Sequence, residues 1–283
     1  MIPAAFVYQR PGSVDEALRA IAADPEAKIL AGGHSLLPLL KLRLARTDAL
    51  IDIGRLRELK GLRYLADGSA SVGALTTYAE LARATQLDFV REALLMAADV
   101  QVRNRATVGG AVAHADPASD LPPILLALDA SIVLRSSREE RVVGATDFFL
   151  GPFETALRPD ELVVEIRRPA LPPGAGGAYV KLAQPASGYA MVGVCAVVAR
   201  TGGRIEHARV ALTGVSDSAY RATAVEAALV GTDGSPAVIA AAAVQATLNR
   251  SVNHDIHADR EYRTAMAEVY TRRAVEAALA RAT

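Results

Sequence analysis

A chain of 283 residues, 51% of them hydrophobic, is long and apolar enough to bury a core of its own, which excludes a disordered protein. Its 31 Lys and Arg balance 31 Asp and Glu, so no bulk charge draws it to nucleic acid or to an anionic membrane. The single cysteine, Cys195, excludes an internal disulfide and a thiolate-held iron–sulfur cluster, and its apolar run VGVCAVVA makes it a small core residue.

The opening MIPAAFVYQRPGS lacks a basic region followed by a long apolar one, and no apolar run reaches the length of a membrane span. The chain therefore reads as cytoplasmic and not integral to a membrane. After Pro11-Gly12-Ser13, VDEALRAIAAD predicts a short amphipathic helix with Ser13 as N-cap and Glu16 three residues on. KILAGG and ALIDIG predict strands stopped by glycine, and their alternation with helical segments predicts an α/β unit over residues 1–55.

From Leu56 the pattern continues with a hairpin in GLRYLADGSASVGA turning at Asp67-Gly68, then helices in TTYAELARA and FVREALLMAADV. A second hairpin in SIVLRSSREERVV and a strand in DELVVEIRRP complete a second α/β unit over residues 56–170. RRPALPPGAGG, residues 167–177, gathers prolines and glycines and is the linker candidate. Beyond it AYVKLAQ, YAMVGVCAVVAR and IEHARVALTGV predict consecutive strands, followed by helical runs at 222–230, 236–249 and 260–281. Strands followed by helices predict a separate α+β domain over residues 177–283. No internal repeat is present.

Two stretches carry the candidate chemistry. In KILAGGHSLLPLL, residues 28–40, an apolar run breaks into Gly32-Gly33 and then meets His34 and Ser35. In NRATVGGAVAHADPASDLPPILLALDA, residues 104–130, Thr107 stands beside Gly109-Gly110 just outside another apolar run. Paired glycines weaken strand and helix alike, but without a Cβ they let backbone N–H groups turn toward a phosphate at close range. Ser35 and Thr107 add hydroxyl donors, and a helix starting beside such a loop adds its positive end. Neither loop matches Gly-x-Gly-x-x-Gly or ends in Gly-Lys-Ser/Thr. Each alone reads as an ordinary turn; the pair, with matched hydroxyls, reads as two grips on one pyrophosphate.

AGGHSLLPLLKLRLA together with RATVGGAVAHADPASDLPP resembles the FAD-binding medium subunit of the molybdenum hydroxylase family, of the carbon monoxide dehydrogenase and xanthine dehydrogenase type. YVKLAQPASGYAMVGVCAVV resembles the opening of that family's C-terminal flavin domain, so the resemblance covers essentially the whole chain. It implies an α+β protein: a two-lobed FAD-binding domain of the vanillyl-alcohol-oxidase/PCMH type, then a smaller C-terminal α+β domain with an antiparallel sheet and helices. It also implies non-covalent FAD. Leu30, Ala31, Gly32, Gly33, His34, Ser35 and Leu36 would wrap the pyrophosphate from the first lobe, and Ala106, Thr107, Val108, Gly109, Gly110 and Ala111 from the second. Asp120 matches the family's acidic cofactor contact. Leu162 and Lys181 fall where the family places a residue beside the flavin ring and a lysine near it.

Several of these residues have a second reading. A loop histidine bonds covalently to flavin in more distant proteins with this type of FAD domain, though not in the resembled family, so His34 is taken as a loop residue near the cofactor. Asp120 also suits a helix cap, and Asp116 shares both readings. Lys181 is either a surface lysine or a positive charge at the flavin's N1–C2=O edge. Tyr189, after Gly188, either stacks on the flavin or fills the domain interface, with the balance toward the interface. His254-x-x-His257 with Asp255 and Asp259 has the spacing of ligands on a helix, yet reads as a solvated connector and not a metal site. Arg103 and Arg105 approach either phosphate or the carboxylates of a partner.

No general base and no Ser-His-Asp order stand out, so no residue is assigned as catalytic. The resemblance implies an oxidoreductase subunit. Substrate is oxidised at the molybdenum cofactor of a large partner subunit, and electrons pass through 2Fe–2S clusters of a small partner to FAD and on to a quinone, NAD or oxygen. Molybdenum cofactor and clusters belong only to the partners, in a dimer of heterotrimers. The alternatives are a stand-alone FAD-dependent oxidase of the PCMH type and a nucleotide-binding regulatory protein without flavin.

Overall fold

The Ser13 hydroxyl oxygen accepts the Glu16 N–H at 3.2 Å and opens the first helix where the sequence predicts it. The computed structural model describes residues 2–283. Its first unit runs β1 (Val7–Gln9), α1 (Val14–Ala23), β2 (Lys28–Leu30), α2 (Leu36–Leu42) and β3 (Ala49–Asp52), with the strands parallel in the order β1-β3-β2. Helix α1 buries Val14, Ala17, Leu18 and Ile21, spaced to share one face, against Ala49 and Ile51 of β3. Full burial of side chains such as Leu18 and Ile51 contributes roughly 1.5–3 kcal/mol each.

The second unit contains β4 (Leu62–Tyr64), β5 (Ala70–Gly73), α3 (Tyr78–Ala84), α4 (Asp88–Met96), α5 (Val100–Arg103), α6 (Val108–His114) and α7 (Leu121–Ala127). There follow β6 (Ser131–Arg135), β7 (Glu140–Gly144), α8 (Ala145–Phe148), the small pair β8 (Phe149–Gly151) and β9 (Glu154–Thr155), and β10 (Leu162–Arg168). Its five-stranded sheet, in the order β4-β5-β10-β6-β7, is antiparallel at every pairing. This corrects the α/β unit expected from alternation. Tight hairpins join β4 to β5, with Gly68 at φ +82°, and β6 to β7, while the five helices α3 to α7 arrive as one block between β5 and β6. The helical block carries the chain from β5 to β6, which run the same way, but β10 lies between them antiparallel to both, so no adjacent pair is parallel.

The third sheet is an antiparallel meander of β11 (Gly176–Ala183), β12 (Ala190–Thr201), β13 (Arg204–Thr213) and β14 (Tyr220–Arg221). It is followed by α9 (Thr223–Leu229), α10 (Pro236–Ala243) and α11 (Arg260–Arg281). Gly176 and Gly177, assigned to the linker by composition, begin β11 and are buried. A Cβ on Gly176 would meet the Ala278 carbonyl oxygen of α11 at 2.1 Å, and one on Gly177 would meet the Phe89 ring of α4 at 2.4 Å. Successive strand residues face opposite ways, so this pair admits a helix on each side of the sheet.

The sheet is accordingly buried on both faces. Tyr179, Cys195, Val197 and Ala211 share a core with Phe89 of α4 and Leu121 and Ile124 of α7. Ala178, Val194, Ala196 and Val210 share one with Val225 of α9 and Ala274 and Ala278 of α11. No helix among the described residues is long and apolar enough to cross a membrane.

Candidate functional site

The first glycine loop is the five-residue passage from β2 to α2. Gly33 turns it at φ +84°, a left-handed conformation that favours glycine. The backbone N–H groups of Gly32, Gly33, His34 and Ser35 have no acceptor among the described residues, and the Ser35 hydroxyl makes no capping bond to α2. Consecutive unengaged N–H groups around a left-handed turn form a concave donor surface suited to an anion. His34 and Ser35 are exposed, while Ala31, Gly32 and Gly33 are half-buried.

The second loop is built differently. The Val108 N–H donates to Thr76 O at 2.9 Å, Gly109 to Ala74 O at 2.7 Å, Gly110 to Thr107 Oγ1 at 3.2 Å and Ala111 to Thr107 O at 3.0 Å. Its N–H groups are therefore held inside the fold, contrary to the expectation that both loops present them to phosphate. Thr107 caps α6, and its hydroxyl, while accepting from Gly110, keeps its own proton to donate. The glycine pair serves packing: a Cβ on Gly109 would lie 2.5 Å from that of Ala74, and one on Gly110 2.7 Å from Thr107 Oγ1.

The fold brings the two loops into contact. A Cβ on Gly32 would sit 2.2 Å from the Arg105 carbonyl oxygen, and one on Gly110 3.9 Å from the Ala31 Cβ. Between them opens a cavity of about 230 Å³ lined by Ala31, Gly32, Thr77, Arg105 and Thr107, with Lys60, Arg83 and the carboxylate Glu80 also on its wall. Lys60 reaches Glu80 at 3.7 Å, and Arg105 enters no ion pair among the described residues. Arg103 instead donates to the carbonyls of Ala97 and Ala98 at 3.0 and 2.8 Å, closing the end of α4.

Helix α6 leads from the second loop, over roughly 10 Å of helix, toward a buried polar cluster at Asp120. Asp120 occupies the N-cap position of α7 without making the capping bond. Its Oδ1 accepts the Tyr179 hydroxyl at 2.5 Å and its Oδ2 the Lys181 ammonium at 3.0 Å. Burial pushes the Asp120 carboxyl up, and the Lys181 charge and Tyr179 hydroxyl oppose that push. Burial likewise raises the hydroxyls of Tyr179 and Tyr78, helped by the Asp120 charge.

Lys181 is no surface lysine: its side chain is 3% exposed, and its other donors go to Met96 O at 3.0 Å and Gly188 O at 2.9 Å. One ammonium thus joins the end of α4, the start of α7 and the turn that carries Tyr189. Tyr179 was missed in the sequence. It stands two residues before Lys181 on the same face of β11, so strand alternation points to it.

Other sequence-predicted residues are distributed as follows. Leu30, Leu36, Ala106 and Ala111 flank the two loops half-buried, and Val108 is core. Leu162 is 4% exposed and packs in the core of the first unit with Val14, Leu18 and Ile51. Val164 of β10, at a bulge, accepts the Ala74 N–H at 3.0 Å, and Ala74 in turn accepts the Gly109 N–H of the second loop at 2.7 Å. Tyr189 is 48% exposed and so does not fill the interface expected for it. Burial and the charges of Asp116 and Asp120 raise its hydroxyl's pKa. His254 and His257 lie in an irregular connector, not on a helix, and Asp255 is engaged by Arg263 at 2.5 Å. Cys195 is fully buried in β12.

Unengaged donors in the first loop, a free hydroxyl proton on Thr107 and the unpaired Arg105 on the cavity wall fit a dinucleotide pyrophosphate. Residues 4–171 match the FAD binding domain in molybdopterin dehydrogenase, and residues 177–278 the CO dehydrogenase flavoprotein C-terminal domain. The chain is 40% identical, over 99% of both chains, to the carbon monoxide dehydrogenase medium chain of Hydrogenophaga pseudoflava. It superposes on a structure of carbon monoxide dehydrogenase from that organism with TM-score 0.96 and 42% identity, each chain covered 100%. Quinoline 2-oxidoreductase from Pseudomonas putida 86 matches at TM-score 0.91 and 35% identity over 98% of both chains. The protein belongs to the FAD-binding flavoprotein family of the molybdopterin dehydrogenases.

Proposed function

We propose that this chain is the FAD-binding electron-transfer subunit of a molybdenum-containing hydroxylase or dehydrogenase. In this reading electrons arrive from the 2Fe–2S clusters of a small partner and leave to a quinone, NAD or oxygen, while substrate is oxidised at the molybdenum cofactor of a large partner. The observation that carries it is the meeting of two glycine loops beside a cavity, the first loop with four unengaged N–H groups, in a chain of this family. FAD, when bound, supplies an electron store that exchanges with both one- and two-electron partners.

The chain's own residues bind and orient. Residues 30–36 and 106–111 hold the diphosphate, chiefly through the N–H groups of Gly32 to Ser35 and the Thr107 hydroxyl. Asp120 and Lys181 present a fixed charge pair beyond α6. The functional units are lobes over 1–55 and 56–170 and a C-terminal domain over 177–283, in a cytoplasmic dimer of heterotrimers. A stand-alone oxidase acting on an alcohol needs a free proton acceptor at the flavin. Asp120, the buried carboxylate in place for that role, has both oxygens engaged. Relatives named for carbon monoxide and for quinoline match over nearly their whole length, which fits a substrate chosen by the large partner.

Purification of the tagged chain from its own organism, with molybdenum, iron and flavin assayed in the same eluate, tests this. A large molybdenum-bearing chain and a small iron–sulfur chain should co-purify, and denaturation should release the flavin. A lone yellow protein reduced directly by an alcohol would overturn it.

A further inference from the structure

The first unit leaves one surface uncovered. Strand β1 pairs only with β3, and all three of its residues are exposed, Val7 at 61% and Tyr8 at 51%. The Val7 N–H donates into the sheet, to Asp48 O at 2.7 Å, so by strand alternation the N–H and C=O of Tyr8 point outward. An open edge of this kind pairs with any extended chain that reaches it. Phe6 leads into the strand, and upstream of it Ile2 O accepts from Arg43, which stands between Leu42 and Leu44, themselves 49% and 73% exposed. Exposed apolar side chains gathered this way mark an interaction surface.

Three arginines stand beside the edge, with the carboxylates of Asp48 and Asp52 among them. Arg10 and Arg55 both act on the Tyr8 hydroxyl, and neither they nor Arg43 enters an ion pair among the described residues. The neighbouring Asp52 carboxylate is engaged by the Tyr8 hydroxyl at 2.5 Å and the Gly54 N–H at 2.8 Å. In a chain with no net charge, three unpaired arginines around an open strand edge call for carboxylates. A second copy of this chain fits poorly, because an isologous contact would set these arginines against one another. A bilayer fits poorly too, since lipid offers nothing to the outward N–H and C=O of Tyr8.

We infer that the outer edge of β1, flanked by Phe6, Leu42 and Leu44, docks an extended acidic segment of a partner polypeptide by strand addition. This rests on the multi-subunit reading above for the existence of that partner. The segment extends the β1-β3-β2 sheet, its carboxylates meet Arg10, Arg43 and Arg55, and the contact lies outside the cofactor cavity.

The test uses the native complex and the same full chain released from it, compared by hydrogen–deuterium exchange. Residues 2–10 should exchange at least about tenfold more slowly in the complex, with Tyr8 the most protected. Two variants accompany it. Arg10→Glu with Arg55→Glu should weaken subunit association about tenfold and abolish much of its salt dependence, with flavin content unchanged. Tyr8→Pro removes the outward N–H without touching the β1–β3 ladder and should weaken association similarly. A complex in which residues 2–10 exchange as in the free chain would overturn the inference and leave the electron-transfer reading standing. So would double-reversed variants that assemble normally, or a released chain that captures anionic vesicles through these arginines. A wild-type chain that assembles with nothing would end both.

Discussion

A methyl group at position 32 would lie 2.2 Å from the Arg105 carbonyl oxygen, a backbone atom that has no rotamer to yield. Gly32→Ala must therefore part the two loops, at a cost of about 1–3 kcal/mol for overpacking. Purified Gly32→Ala should hold FAD at least about tenfold more weakly and melt lower, read by flavin-to-protein absorbance and calorimetry; full flavin content would show that the contact does not matter. The turn at Gly32-Gly33 was legible because a Gly-Gly pair interrupts an apolar run there. The role of Gly109-Gly110 was not. The same dipeptide serves packing against Ala74 and the Thr107 cap, and only the acceptors of its N–H groups reveal which. Lys181 was legible as a position but not as a bond, since its three acceptors come from Met96, Asp120 and Gly188, far apart in the chain.

Elements, taken singly, follow from local chemistry: Ser13 caps α1, glycine stops β2 and turns the β4–β5 hairpin. Their pairing does not. Strand β10 lies between β5 and β6, both earlier in the chain, and nothing in DELVVEIRRP names them. One contact that ties the head of β10 to β7 across β6 is Glu161, with a side chain 1% exposed. It accepts from Arg141 of β7 at 2.6 and 2.8 Å and from the Arg158 N–H at 2.8 Å. Burial pushes its carboxyl up, but the Arg141 guanidinium and the Arg158 N–H outweigh that and hold it below the usual carboxylate range. A lowered folded pKa gives stability that is present above the unfolded pKa and is lost as pH falls through the folded one. Glu161→Gln should thus cost about 2–3 kcal/mol near pH 7, because it leaves Arg141 without its counter-charge in a partly buried place. The gap between variant and parent should begin to narrow below about pH 4 and close as pH falls through the lowered folded pKa, where the parent too loses its carboxylate. A gap independent of pH in urea titrations would refute the charge argument.

At the scale of the molecule, the sheet of β11 to β14 belongs to two cores at once. Cys195 and Val197 face Phe89 and Leu121, while Val194 and Ala196 face α9 and α11. A fragment spanning residues 172–283 keeps only the second of these covers. Expressed alone, it should expose the Tyr179 face, bind a hydrophobic dye and aggregate, whereas the full chain should melt these two cores in one transition; a soluble, cooperatively folding fragment would contradict the shared core. Gly176, which lets α11 lie against β11, carries a consequence for synthesis. On a ribosome adding roughly 5–20 residues per second, one face of the newly paired sheet finds α4 and α7 already made. Its other face must wait for α11, so for several seconds of every translation a valine-rich sheet stands open on one side, the interval in which this chain most needs a chaperone.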